Sequence, residues 1–145
     1  MGKIRQVHGS CVARNGAGVL LIGPPGSGKS DLALRLRDRG FSLVADDRVD
    51  IRNCLASAPE SLAGLLEVRG LGIVRLPFVA NVRLALVVQL GEDMVERLPQ
   101  PAWHSDFNLP MIRLNALSAS APDRVALALD CALGRVQQIA GTFAA

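Results

Sequence analysis

Residues Gly23-Pro24-Pro25-Gly26-Ser27-Gly28-Lys29-Ser30 match the pattern G-x-x-x-x-G-K-[ST] at every position. That spacing suits the binding of a polyphosphate. The glycines at 23, 26 and 28 let successive backbone N–H groups turn inward as an anion cradle. A helix starting near Lys29 adds the positive end of its dipole. Lys29 is a mobile cation placed to reach β- and γ-phosphates. Ser30 offers a hydroxyl to Mg²⁺, an ion that keeps most of its ligands as water and phosphate. Pro24 and Pro25 stiffen the loop and keep the helix from starting early.

A second chemical group follows the segment Ser42-Leu43-Val44-Ala45, which ends in Asp46-Asp47. A strand placed beside a phosphate loop would bring one of these carboxylates to a metal or to an acceptor hydroxyl. Adjacent side chains on an extended chain point to opposite sides, so one Asp is expected to face the site and the other a neighbour. Two close carboxylates repel, which raises the pKa of one and suits it to act as a base. His8 lies on the first expected strand. Alone, such a histidine is more often structural than catalytic. Glu67 falls at the end of an expected helix, where the dipole disfavours a negative charge, and so suggests a cation partner.

The elements that must position these groups follow from the apolar pattern. Strands are expected over residues 7–13, 19–22, 42–45, 73–76, 82–90 and 109–114, and a strand or turn over 49–52. The 19–22 run is continuously apolar, as in a buried strand. A helix is expected over 29–39, with Leu32, Ala33 and Leu36 on its apolar side and Gly40 as its cap. A short helix is expected over 59–66, and a long amphipathic one over 123–139 behind Pro122. Residues 92–108 are polar and read as an exposed loop. The expected fold class is α/β: one domain over residues 1–145, with a mixed sheet flanked by helices.

At 145 residues the chain suits one domain and can bury a core without metals or disulfides. Aromatics are only 3% of the chain, so aliphatic side chains must fill the core. A net charge of +3 suits a polyphosphate or acidic partner. The basic residues are dispersed and stacking aromatics are few, which argues against nucleic acid as partner. Cys11, Cys54 and Cys131 form no metal pattern and read as reduced, buried, inert thiols of a cytoplasmic protein. The charged start MGKIRQ is unlike a signal peptide, and the apolar runs are too short to span a bilayer.

The order His8-Gly9, phosphate loop, Leu43-Val44-Ala45-Asp46-Asp47-Arg48-Val49, Ala58-Pro59-Glu60 and Leu66-Glu67-Val68-Arg69-Gly70-Leu71-Gly72-Ile73 resembles the catalytic domain of bacterial HPr kinase/phosphorylase. The likeness covers residues 7–76 well and the remainder weakly, and it is to a short form without the separate N-terminal regulatory domain. It implies a P-loop nucleotide-binding fold with a phosphoenolpyruvate-carboxykinase-like kinase core. It further implies transfer of phosphate from ATP, with Mg²⁺, to a serine of an HPr-like phosphocarrier protein of the phosphotransferase system, and an oligomer, often a hexamer. By the same resemblance His8 is the active-site His and Lys29 the phosphate-loop Lys. Ser30 and Glu67 are the Mg²⁺ ligands. Asp47 is the acid that takes the serine proton, with Asp46 beside it. Arg97 falls where the family has an active-site Arg.

There is one departure. The family carries an Arg-Pro-Gly-Arg-Asn loop used in dephosphorylation, whereas this chain has Leu109-Pro110-Met111-Ile112-Arg113-Leu114-Asn115, which keeps only Arg113 and Asn115. A kinase with weak or absent phosphorylase activity is therefore expected. The polar 92–108 stretch, with Trp103 and His104, is either a docking patch for the protein substrate or a plain loop. The alternatives are a small-metabolite kinase, which would want an Arg-rich lid, and a non-catalytic nucleotide sensor. A GTPase would want Asn-Lys-x-Asp, which the sequence lacks.

Overall fold

Two apolar runs, one in β3 (Ala17–Ile22) and one in β9 (Val82–Leu90), pair in parallel at the centre of a large mixed sheet. The computed structural model describes residues 2–91 and 96–144. β2 (Ser10–Arg14) runs antiparallel to β3 on one side and to β4 (Ser42–Ala45) on the other. β9 takes β6 (Leu55–Ser57) along its first residues and β11 (Leu109–Leu114) along its last. β5 (Arg48–Arg52) joins β6 to the edge strand β1 (Arg5–His8). β7 (Leu65–Val68) and β8 (Gly72–Arg75) form a separate hairpin, and β10 (Trp103–His104) pairs with β11.

The period-2 alternation of the central strands divides the core in two. Val19, Leu21, Leu86 and Val88 face one way, where Leu32 and Leu36 of α1 (Lys29–Leu36) and Val125 and Leu129 of α2 (Ala121–Ala132) cover them. Leu20 and Val87 face the other way, among Cys11, Val44, Val49, Ile51, Ala56 and Phe107. Both helices therefore lie on the same face, and β5 and β6 curl over the second. Leu20, Leu21, Leu32, Leu36, Leu86 and Leu129 are fully buried, each contributing roughly 2 kcal/mol.

Several expectations need correction. The strand expected over 7–13 is two strands, β1 and β2, broken at Gly9, and β6 was not foreseen. The helix over 29–39 is α-helical to Leu36 and 3-10 from Arg37 to Arg39, with Gly40 as its left-handed cap. The helix expected over 59–66 is only a 3-10 turn, Glu60–Leu62. Gly64 follows at φ 76°, and a Cβ there would lie 2.8 Å from the Leu76 carbonyl oxygen. A helix cannot continue through it, and the chain enters β7, which puts Glu67 on a strand rather than a helix end. The long C-terminal helix stops at Ala132. Gly134 takes φ 75°, and the Asp130 carbonyl accepts from the amides of Arg135 and Val136. Of the loop expected over 92–108, residues 92–95 lie outside the described residues, and Trp103–His104 is a short strand. Cys11 is buried, but Cys54 and Cys131 are partly exposed. Among the described residues no helix is long and apolar enough to cross a membrane.

Candidate active site

The strand–loop–helix unit forms as its sequence dictates. β3 ends at Ile22, and the loop turns through a Ser27 N–H to Pro24 carbonyl bond of 3.1 Å. The first turn of α1 then opens with Leu32 N–H donating to the Gly28 carbonyl at 2.9 Å. Gly28, the N-cap, sits at φ 94°, and a Cβ there would stand 3.0 Å from the Cβ of Ala116. Glycine is required at that point for both backbone angle and space. Lys29 is 9% exposed and folds its ammonium back onto the loop, donating to the carbonyls of Gly23 at 2.9 Å and Pro24 at 3.2 Å. Burial pushes its pKa below the ordinary lysine value, while the carboxylates of Asp46 and Asp47 oppose that shift. The Ser27 hydroxyl is buried within the loop and has no hydrogen-bond partner among the described residues.

The acidic pair divides as alternation requires, with a sharper turn than a strand would make. Asp46 points inward and is 6% exposed. Its Oδ1 accepts hydrogen bonds from the hydroxyls of Ser10 and Ser30, each at 2.7 Å, and its Oδ2 accepts from the Glu67 amide at 3.4 Å. Asp47 adopts φ 69°, a left-handed conformation costing about 1–2 kcal/mol for a residue with a Cβ. The Arg48 amide to Asp46 carbonyl bond of 2.8 Å closes this turn. The Asp47 carboxylate is thereby carried outward to His8, whose Nε2 lies 3.1 Å from Oδ1.

A cleft of about 460 Å³ collects these groups. His8, Gly26, Gly28, Lys29, Ser30, Asp46, Asp47 and Glu67 all line it, and so does Pro25. Pro24 and Ser27 instead line an adjoining groove of about 290 Å³, together with Gly91 and Asn115. Leu117 borders both. Arg97 is exposed and is not brought to either. The sequence gives no local sign of three further contributors. Ser10 reaches Asp46 across 36 positions. Arg69 enters from the hairpin. Arg35 fastens the segment behind Leu117 by donating to the carbonyls of Ala116 and Ser118.

The HPr serine kinase C-terminal domain model matches residues 1–92, which is more than half of the chain and holds every residue of the cleft except Leu117. The chain belongs to this HPr kinase family. It is 37% identical over 144 residues to the HPr kinase/phosphorylase of Bordetella pertussis, an alignment covering 88% of this chain and 46% of that protein. It is 52% identical over 75 residues to the enzyme of the same name from Bacillus pumilus, covering 48% of this chain and 24% of that protein. The chain thus spans less than half the length of these curated relatives. Its fold matches the structure titled HPr(Ser) kinase/phosphatase from Coxiella burnetii with a TM-score of 0.74. That match has 24% identity and covers 92% of this chain and 99% of that one.

The donor set at the inner end of the cleft fits a hard divalent cation such as Mg²⁺. Ser30 and Glu67 offer oxygen to the cleft, and Asp46 lies against both through the Ser30 hydroxyl and the Glu67 amide. Among the described residues there is no group of three or more His, Cys, Asp or Glu side chains able to hold a metal without other ligands. Mg²⁺ takes part of its shell from phosphate and water, which agrees with so sparse a set.

Proposed function

We propose that residues 1–145 form one P-loop kinase unit with a phosphoenolpyruvate-carboxykinase-like core. In this reading it transfers the γ-phosphate of ATP to a serine of an HPr-like phosphocarrier protein. One observation carries this. The two acids after β4 take separate tasks, Asp46 holding Ser30 of the phosphate loop and Asp47 standing with His8 in the same cleft.

The backbone amides of Gly26, Gly28, Lys29 and Ser30 and the ammonium of Lys29 bind the β- and γ-phosphates. Lys29 exchanges its two loop carbonyls for phosphate oxygens, a trade of weaker acceptors for charged ones. Mg²⁺, when bound, neutralises charge on the transferring group, with Ser30 and Glu67 as its protein ligands. Asp47 accepts the proton of the incoming serine hydroxyl as its oxygen bonds to the γ-phosphorus and ADP leaves. His8, its Nε2 3.1 Å from Asp47 Oδ1, stands against the carboxylate and limits its rotation. Positioning and electrostatics supply most of the acceleration.

The reverse, phosphorolytic direction is weak or absent in this reading. The segment in place of the family's arginine-rich loop is β11, tied to β10 over its first two residues and to β9 over its last four. Arg113 is exposed there, and Asn115 spends its side-chain oxygen on the Leu117 amide at 2.9 Å. Trp103, 62% exposed on β10, supports a docking role for this stretch. The exposed apolar side chains Leu127, Leu133 and Ile139 support assembly into an oligomer, a hexamer by family resemblance. A cytoplasmic location belongs to the same reading.

The test is phosphate transfer from γ-labelled ATP to HPr by the wild-type protein and by Lys29→Met and Asp47→Asn variants. Transfer by the wild type and its loss in both variants supports the assignment. Label appearing on HPr with the Asp47→Asn variant at the wild-type rate refutes the role of Asp47.

A further inference from the structure

Both acids of the site are gripped by three consecutive residues at the junction of β1 and β2. The His8 imidazole meets the Asp47 carboxylate. The Gly9 amide donates to the Asp47 carbonyl at 3.1 Å, and the Ser10 hydroxyl donates to Asp46 Oδ1 at 2.7 Å. His8 and Ser10 are two apart on nearly extended chain, so they share a face, and both line the cleft. Gly9 makes the junction possible, because a Cβ there would stand 2.7 Å from the Leu21 carbonyl oxygen. The chain changes sheet partners at this point, from β5 to β3 and β4.

Ser10 differs from His8 in being almost wholly buried, at 1% exposed. Its single hydroxyl proton goes to the same oxygen that takes the proton of Ser30. A carboxylate oxygen can accept both. The Ser30 hydroxyl, its proton committed to Asp46, has its lone pairs left for the cleft. The direction of those lone pairs depends on where Asp46 Oδ1 stands. Among the described residues only two other groups hold that carboxylate, the Ser30 hydroxyl and, through a long bond, the Glu67 amide. Among the described residues Ser10 is the sole short contact that comes from outside the loop and hairpin, on a strand held between β3 and β4.

We propose that Ser10 is a positioning residue for the metal half of the site. It fixes Asp46, and through Asp46 it aims Ser30 at Mg²⁺, a role that rests on the proposed binding of Mg²⁺ with ATP by Ser30. Ser10 has no part in holding phosphate directly, so its effect belongs to the metal-dependent share of nucleotide affinity and not to the rest.

The experiment is calorimetric binding of ATP, without protein acceptor, in Mg²⁺ and in EDTA. It compares the wild type, Ser10→Ala and the near-isosteric Ser10→Cys, whose thiol is a weaker donor. The expected result for Ser10→Ala is a loss of about tenfold in affinity with Mg²⁺, the worth of one hydrogen bond to a charged group, and no change in EDTA. Ser10→Cys should fall between, and it serves alone if the alanine variant does not fold. Equal weakening in both conditions, or none in either, overturns the assignment of Ser10 and leaves the kinase reading standing. A wild-type protein that binds ATP no more tightly with Mg²⁺ than in EDTA overturns the metal reading itself.

Discussion

Replacing Asp46 by Asn separates the charge of this residue from its shape. The side chain keeps an oxygen that can accept from Ser10 and Ser30, now without charge. Each of those bonds falls from about 2 to about 1 kcal/mol. The new NH₂ replaces Oδ2 and faces the Glu67 amide, so donor meets donor where a 3.4 Å bond stood. Against these losses, a carboxylate only 6% exposed no longer has to be desolvated, which returns several kcal/mol. The two sides nearly cancel, and the net change in folding free energy should be about 1 kcal/mol, or about 3 °C in the unfolding midpoint. Catalysis has no such offset, because the charge next to Ser30 and near Lys29 is gone. Phosphate transfer should fall by about 10²–10³, as for the loss of one electrostatic contact to a transition state. The assay pairs thermal unfolding by circular dichroism with label transfer from ATP at a temperature where both proteins are folded. An Asn variant as active as the wild type would refute this reasoning. So would an activity loss that merely tracks the unfolded fraction.

Three further outcomes are expected. Gly9→Ala drives a Cβ to 2.7 Å from the Leu21 carbonyl oxygen; it should cost about 1–3 kcal/mol and lower the unfolding midpoint. Lys29 has a folded-state pKa below the ordinary 10.5, so the unfolded chain binds more protons above that lowered value. The unliganded wild type should therefore gain stability on this account as pH rises through the window up to 10.5, and Lys29→Met should lack that gain in denaturant titrations across the window. Trp103→Ala removes an exposed ring far from the phosphate loop in sequence; it should raise the KM for HPr and leave the KM for ATP unchanged, which kinetics with each substrate varied will show.

The parts of the site that are legible in the sequence are those built from neighbours. The strand–loop–helix unit is one: its strand, glycines, Lys29 and Ser30 are contiguous, and the strand ends at Ile22 and the helix begins at Lys29 as the sequence leads one to expect. The division of Asp46 from Asp47 is also legible, as strand alternation, although the left-handed turn at Asp47 is not. Ser10 is invisible beforehand because a serine on an apolar strand carries no local signal. Its partner lies 36 residues away. The break at Gly9 hides within residues 7–13, which read as one strand, and it becomes apparent only when the two halves choose different partners. Glu67 lines the cleft, but from a strand and not from the helix end expected of it. The helix expected over 59–66 runs into Gly64, whose closeness to the Leu76 carbonyl is a long-range fact. At the C-terminus, Gly134 is the stop signal that the helical pattern obscures.

The most direct measurement is the mass of HPr after incubation with this protein, ATP and Mg²⁺, beside HPr whose acceptor serine is changed to Ala. Gain of one phosphate on the first and none on the second is the outcome expected from a serine kinase. No gain on either, while ATP binds, would contradict it.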